Sequence, residues 1–252
     1  WGEHDRLRLA VAPRFALSCT SENMRAVAEY ARDRGLIIHT HASEQIPEVE
    51  MVRARTGMPN IEYLDSLGIS GPDVCLAHCV HTEMHERDIM REKDTRVLHC
   101  PSANLKLGSG VAPIPEYLAM GLTVSLGADG APCNNRLDAF QEMRQAGLIQ
   151  KPVRGCEALK AEEVVGLATQ GGARALCWDE EIGRLAKGMR ANVILVDQSS
   201  FSVLPSENMA ANLVYGNNAN DVVMTIVNGR ILYEDGHLTT IDEEELKREV
   251  IR

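Results

Sequence analysis

Leu36-Ile-Ile-His-Thr-His-Ala-Ser-Glu44 begins as a short apolar run and ends in ionisable side chains. Gly35, directly before it, suits a left-handed helix stop, so the run reads as a strand leaving a helix. Working outward, the same device recurs at Leu7 to Ala12, Val74 to Ala77, Arg96 to His99 and Leu122 to Leu126, with helical stretches between. Nearly continuous apolar strands are covered on both faces. Their alternation with helices predicts an α/β fold, with βα units around a parallel sheet.

The helices have readable ends. Thr20 and Ser21 are capping candidates for the repeat Met24, Val27, Ala28, Ala31; Pro47 suits a first turn and Gly57 a stop; Thr82 is expected to cap a helix running to Glu92. Beyond Asp129 helices are expected near Asn135 to Gln150 and Ala161 to Ala175. Strands follow at Val193 to Val196, Val222 to Val227 and Arg230 to Tyr233, with Asn228-Gly229 as a hairpin turn. The charged tail Asp242 to Arg252 reads as a terminal helix. The expected domains are residues 1–190 (barrel part), 191–240 (β appendage) and 241–252 (helix).

Bulk properties narrow the function. The chain has 252 residues, 44% of them hydrophobic, enough for a substantial core. A net charge of −10 disfavours nucleic acid and anionic lipid as partners. No stretch approaches the ~20 apolar residues of a membrane span, and no leader opens the chain, so a cytoplasmic protein is expected. The seven cysteines include no Cys-x-x-Cys pair. Cys19, Cys75, Cys79, Cys100 and Cys177 sit among apolar residues and are expected as small buried hydrophobes. The chain opens at Trp1-Gly2 without methionine, which reads as a fragment.

In a parallel barrel the chemistry sits just after the strands. Those positions hold Arg14-Phe15, His39 to Glu44, His78 to His81, His99 to Asn104 and Gly127 to Gly130. One such histidine would be a hydrogen-bonded core residue. Consecutive strand ends supplying His, His, His and Asp instead suit a catalytic divalent ion such as Zn²⁺. Hydrolytic deamination needs a lowered water pKa and a proton shuttle. Asp129 can take a proton from water, Glu44 can pass one to a ring nitrogen, and His78 can orient the attacking hydroxide.

The segments His39-Thr-His-Ala-Ser-Glu44, Leu76-Ala-His-Cys-Val-His81, His99-Cys-Pro-Ser-Ala-Asn-Leu-Lys-Leu-Gly108 and Leu126-Gly-Ala-Asp-Gly-Ala-Pro-Cys-Asn-Asn135 resemble the amidohydrolase superfamily. Within it they look like the deaminases of adenosine derivatives and guanine. The resemblance implies a TIM-like (β/α)8 hydrolase barrel, of which strands four to eight are visible, and a small β-sandwich appendage. It implies metal ligands His41, His78 and Asp129, catalytic residues Glu44, His78 and Asp129, and substrate contacts from Arg14, Phe15 and Glu44. As an alternative, Arg14 forms only a salt bridge across the barrel mouth.

Such enzymes carry a His-x-His pair at the end of strand one; no such pair precedes the segment resembling strand four, and His39-Thr-His41 has the spacing in the wrong place, so an incomplete and inactive fragment is one alternative. Strand four ends Ala12-Pro13-Arg14-Phe15 without the lysine of binuclear relatives, which implies one divalent ion: zinc, with iron or manganese as alternatives. The expected substrate is a small molecule, a 5′-modified adenosine such as 5′-deoxyadenosine, methylthioadenosine or S-adenosylhomocysteine. Guanine, another aminated heterocycle or a triazine is the alternative. Homo-oligomers are common among such enzymes.

Overall fold

The computed structural model describes residues 4–205 and 207–251; Trp1, Gly2 and the last residue of the expected tail helix, Arg252, lie outside them. In chain order the first part comprises β1 (Ala10–Val11), α1 (Ser21–Asp33), β2 (Ile37–Ala42), α2 (Ile46–Thr56), α3 (Asn60–Ser66) and β3 (Val74–His78). It continues through α4 (Met84–Glu92), β4 (Arg96–His99), α5 (Pro101–Lys106), α6 (Ile114–Ala119) and β5 (Val124–Leu126). The second part holds α7 (Ala131–Asn134), α8 (Ala139–Arg154), α9 (Ala161–Gly166), a π-helical turn at Leu167–Gly171, α10 (Gly172–Ala175) and β6 (Val193–Val196). It ends with α11 (Met209–Ala211), β7 (Val222–Val227), β8 (Arg230–Glu234), β9 (His237–Leu238) and α12 (Glu243–Val250).

The five expected strands form one parallel sheet in the order β1-β2-β3-β4-β5. This agrees with the α/β reading; among the described residues it is an open five-stranded sheet rather than a closed eight-stranded barrel. Register runs in step, with Ile38 opposite Val74, His41 opposite Ala77 and His99 opposite Leu126. Ile38, Thr40 and Ala42 of β2 are buried while Ile37, His39 and His41 are half-buried. Alternation along the strand therefore sends one set into the helix layer and leaves His39 and His41 on the other face. A continuous core joins Ile38, Leu76, Val97 and Val124 to Met24, Leu64, Met90 and Tyr117 of the helices.

The expected sandwich is, among the described residues, a single four-stranded antiparallel sheet, β6-β7-β8-β9. A sandwich needs two facing layers, and the strands here supply one. Asn228 and Gly229 both adopt positive φ, 49° and 77°, and Val227 pairs with Arg230, the geometry expected of a two-residue hairpin loop.

Thr20 caps α1, its hydroxyl accepting the Asn23 N–H at 3.2 Å, and Gly57 ends α2 in the left-handed region. Thr82 does not cap α4. Glu83 does so, because the Thr82 hydroxyl is engaged by the Tyr117 hydroxyl at 2.7 Å and Arg87 Nε at 2.9 Å. Cys75, Cys79 and Cys100 are buried, but Cys177 is exposed, its Sγ donating to the Pro72 carbonyl at 3.2 Å. Among the described residues no helix is long and apolar enough to cross a membrane.

Candidate metal and active site

The parallel sheet aligns its strand ends, so residues far apart in sequence converge just beyond β2, β3 and β5. One ligand-capable atom each from His41, His78 and Asp129 lies within 4.8 Å of the others. The His41 and His78 rings stack with centroids 5.3 Å apart and planes 25° from parallel.

Both imidazoles are oriented from behind. Nδ1 of His41 sits 2.8 Å from the Arg14 carbonyl, which also accepts the His41 N–H at 3.0 Å and the Thr40 hydroxyl at 3.1 Å. Nδ1 of His78 sits 2.8 Å from Oδ1 of Asn104. Each Nδ1 faces an acceptor and must carry the proton, which leaves Nε2 with a free lone pair. His78 Nε2 is buried and has no hydrogen-bond partner, a costly condition for a polar atom unless something binds there.

Backbone conformation matters as much. His78 at φ 72° and Asp129 at φ 59° lie in the left-handed region, unusual for side chains with a Cβ. At His78 the turn departs from the strand's alternation. The Asp129 carboxylate accepts the Gly130 N–H at 2.6 Å. Cys133 stands beside it, its thiol held above the usual range first by a hydrogen bond to Asp129, then by burial and by the Asp129 charge.

Glu44 Oε2 lies 3.7 Å from His78 Nε2, beyond a hydrogen bond but within reach of a shared ligand. Its Oε1 accepts from the Ser109 hydroxyl at 3.1 Å, and that hydroxyl is itself held by Gln45 Nε2 at 2.6 Å. Phe15 makes a parallel bridge to His41, so the pair Arg14-Phe15 borders the site. The Arg14 guanidinium lies 5.2 Å from the Phe15 ring centroid, and Arg14 has no acidic partner among the described residues, so the alternative of a salt bridge across the mouth is not seen there.

Two further histidines stay neutral. Burial, then the neighbouring His41 and His78 imidazoles, lowers the His39 pKa, with Asp129 opposing. Burial, then His78, pushes His99 down to about 3. His99 thus stands apart from the cluster of three: it is 1% exposed and both its ring nitrogens lack partners. Asn104 and Ser109, which hold His78 and Glu44, were not singled out in sequence for those roles. Two carboxylate-compatible imidazoles plus a carboxylate form a donor set that fits a divalent cation.

The amidohydrolase family model matches residues 2–232. The chain belongs to the amidohydrolase family. This amidohydrolase chain is 41% identical over 248 residues to a 5-methylthioadenosine/S-adenosylhomocysteine deaminase of Moorella thermoacetica, covering 98% of this chain and 58% of that protein. It is also 41% identical over 241 residues to a 5′-deoxyadenosine deaminase of Methanothermobacter thermautotrophicus, covering 95% of this chain and 56% of that protein. A crystal structure of an adenosine deaminase from Xanthomonas campestris with bound zinc superposes with a TM-score of 0.96 at 28% identity, covering 100% of this chain and 57% of that one. The amidohydrolase chain therefore spans somewhat over half the length of the relatives it matches.

Proposed function

We propose that this chain carries the strand-end machinery of a hydrolytic deaminase acting on an amino-substituted heterocycle, with a 5′-modified adenosine as substrate. The observation that carries the reading is the pairing of two oriented imidazoles and Asp129 with the Glu44 carboxylate, 3.7 Å from His78. The similarity to deaminases of methylthioadenosine, S-adenosylhomocysteine and 5′-deoxyadenosine supports the choice of substrate.

In this reading His41, His78 and Asp129 hold a single divalent ion, with zinc the first choice and iron or manganese the alternatives. When bound, such an ion polarises the reacting centre and lowers the pKa of water. Asp129 accepts the proton released as water adds to the ring carbon that bears the amino group. Glu44 delivers a proton to the adjacent ring nitrogen, and Ser109 fixes the carboxylate for that transfer. On collapse Asp129 passes its proton to the amine, which departs as ammonia as the carbon–nitrogen bond breaks, while Glu44 takes back the proton of the added hydroxyl and a carbonyl remains. His78 also orients the attacking oxygen. Arg14 and Phe15, bordering His41, meet the heterocycle or its sugar. Residues 1–190 act as the barrel part, 191–240 as the appendage and 241–252 as a terminal helix, in a cytoplasmic enzyme.

Ammonia release by the full-length, metal-replete protein tests this. 5′-Deoxyadenosine, methylthioadenosine and S-adenosylhomocysteine are compared with guanine and a chlorotriazine. Turnover of the nucleosides, lost in Glu44→Gln with metal retained, is the expected result. Chloride release from the triazine with no nucleoside turnover would replace the reading with a dehalogenating one.

A further inference from the structure

Beneath the turns that follow β4 and β5, a carboxylate is buried without a cation. Glu142 of α8 is 2% exposed and has no ion-pair partner among the described residues. Taking a carboxylate out of water costs several kcal/mol unless hydrogen bonds replace the lost solvent. Both oxygens are engaged. Oε2 accepts the Ser102 N–H at 3.1 Å and Oε1 accepts from Asn134 Nδ2 at 2.8 Å.

Each contact leads to a different residue of the cluster. Ser102 lies in the first turn of α5, and the same short helix carries Asn104, whose Oδ1 faces Nδ1 of His78 at 2.8 Å. Asn134 Nδ2 also donates to the Ala128 carbonyl at 2.8 Å, directly before Asp129. Its Oδ1 accepts the N–H groups of Arg136 and Leu137 at 3.3 and 3.4 Å, so Asn134 knits together the whole turn that follows β5. The backbone at Asp129 is left-handed, supported locally by its carboxylate on the Gly130 N–H at 2.6 Å, and Asn134 adds a second hold on the same turn at the Ala128 carbonyl.

We propose that Glu142 is a positioning residue that fixes the spacing of His78 and Asp129 by holding α5 and the loop after β5 with one carboxylate. It touches neither substrate nor metal. Its effect runs through Ser102 and α5 to Asn104 on one side, and through Asn134 to Ala128 on the other. The proposal rests on the reading that His78 and Asp129 take a metal. It predicts that the two are coupled: loosening Glu142 changes both at once.

Glu142→Gln tests it in the full-length protein, because an amide keeps the shape but supplies one acceptor oxygen in place of two. Apparent Co²⁺ affinity, measured against a chelator, is expected to weaken about 10- to 100-fold, the range seen when groups supporting metal ligands are lost. The visible spectrum of bound Co²⁺ is expected to shift. Gln150→Met is the comparison. Gln150 is on the same helix, fully buried, and bonded to the Ala112 carbonyl at 3.1 Å away from both loops, so its loss lowers thermal stability while leaving Co²⁺ affinity as in the parent.

If Glu142→Gln does not fold, Asn134→Ala is read the same way. A folded Glu142→Gln with parental affinity and spectrum would overturn the proposal alone. Equal weakening in Gln150→Met would also overturn it, by showing that general destabilisation suffices. A parent protein that takes up no Co²⁺ would remove the metal reading and the proposal together.

Discussion

Nδ1 of His78 lies 2.8 Å from Oδ1 of Asn104, and this contact decides which nitrogen of the ring faces the site. Asn104→Leu removes the acceptor, frees the ring to rotate and is expected to weaken metal binding about 10- to 100-fold. Asn104→Asp keeps an acceptor at the same place and is expected to retain most of the affinity. Chelator competition on both variants measures the difference; equal losses would deny the tautomer role.

Glu44→Gln is expected to lower ammonia release about 10²- to 10⁴-fold, the usual share of a general acid–base group. Metal content should not change, because Glu44 lies outside the set of three ligand atoms. Steady-state rates together with metal analysis separate the two effects. Loss of metal with activity would make Glu44 a ligand instead.

His99 predicts an acid-sensitive fold. Its pKa falls from 6.5 to about 3 on burial, so between those values the unfolded chain binds the proton that the folded chain refuses. The contribution is complete above pH 6.5 and is lost progressively as pH falls toward 3, at a limiting slope of about 1.4 kcal/mol per pH unit. The lowered pKa of His39 acts in the same direction. Urea unfolding of the metal-free protein at several pH values should show this slope, and His99→Leu should flatten it. An unchanged slope in that variant would place the acid sensitivity elsewhere.

Gly171 and Gly166 should respond to alanine with opposite signs. A Cβ on Gly171 would press into the Val124 carbonyl of β5, whereas one on Gly166 meets nothing within 4 Å. Gly171→Ala is expected to cost about 1–3 kcal/mol through overpacking. Gly166→Ala, at a helical φ of −57°, is expected to gain up to ~1 kcal/mol. Thermal melts of both variants check the signs.

Much of this was legible in the sequence for a physical reason. Strands covered on both faces must be apolar along their length, so all five of the parallel sheet show as runs, and the polar residues after them mark one rim. The cluster of His41, His78 and Asp129 follows from that rim. Less legible was anything set by contacts between distant segments. Thr82 looked like a cap until Tyr117 and Arg87 claimed its hydroxyl. The helix expected from Asn135 starts at Ala139, because Asn134 ties down the intervening turn and Asp138 supplies the cap. The helix expected over Ala161 to Ala175 is broken by the π turn where Gly171 meets β5. Asn104 lies in a polar strand end but its partner His78 is 26 residues away, Ser109 and Glu142 have ordinary sequence surroundings, and only the folded chain brings these contacts together.

The left-handed backbone at His78 and Asp129 has a bearing on how such a chain can change over time. A non-glycine residue in that region costs about 1 kcal/mol or more, and these are two positions where side-chain chemistry forbids the relaxed solution, glycine. Selection for heat resistance alone would favour glycine at half-buried Asp129 and disarm the site, whereas at fully buried His78 the cavity left by glycine costs more than the strain it relieves. Variants recovered from a screen for thermostability, with no demand for turnover, should therefore change at Asp129 before His78 and the buried layer around it.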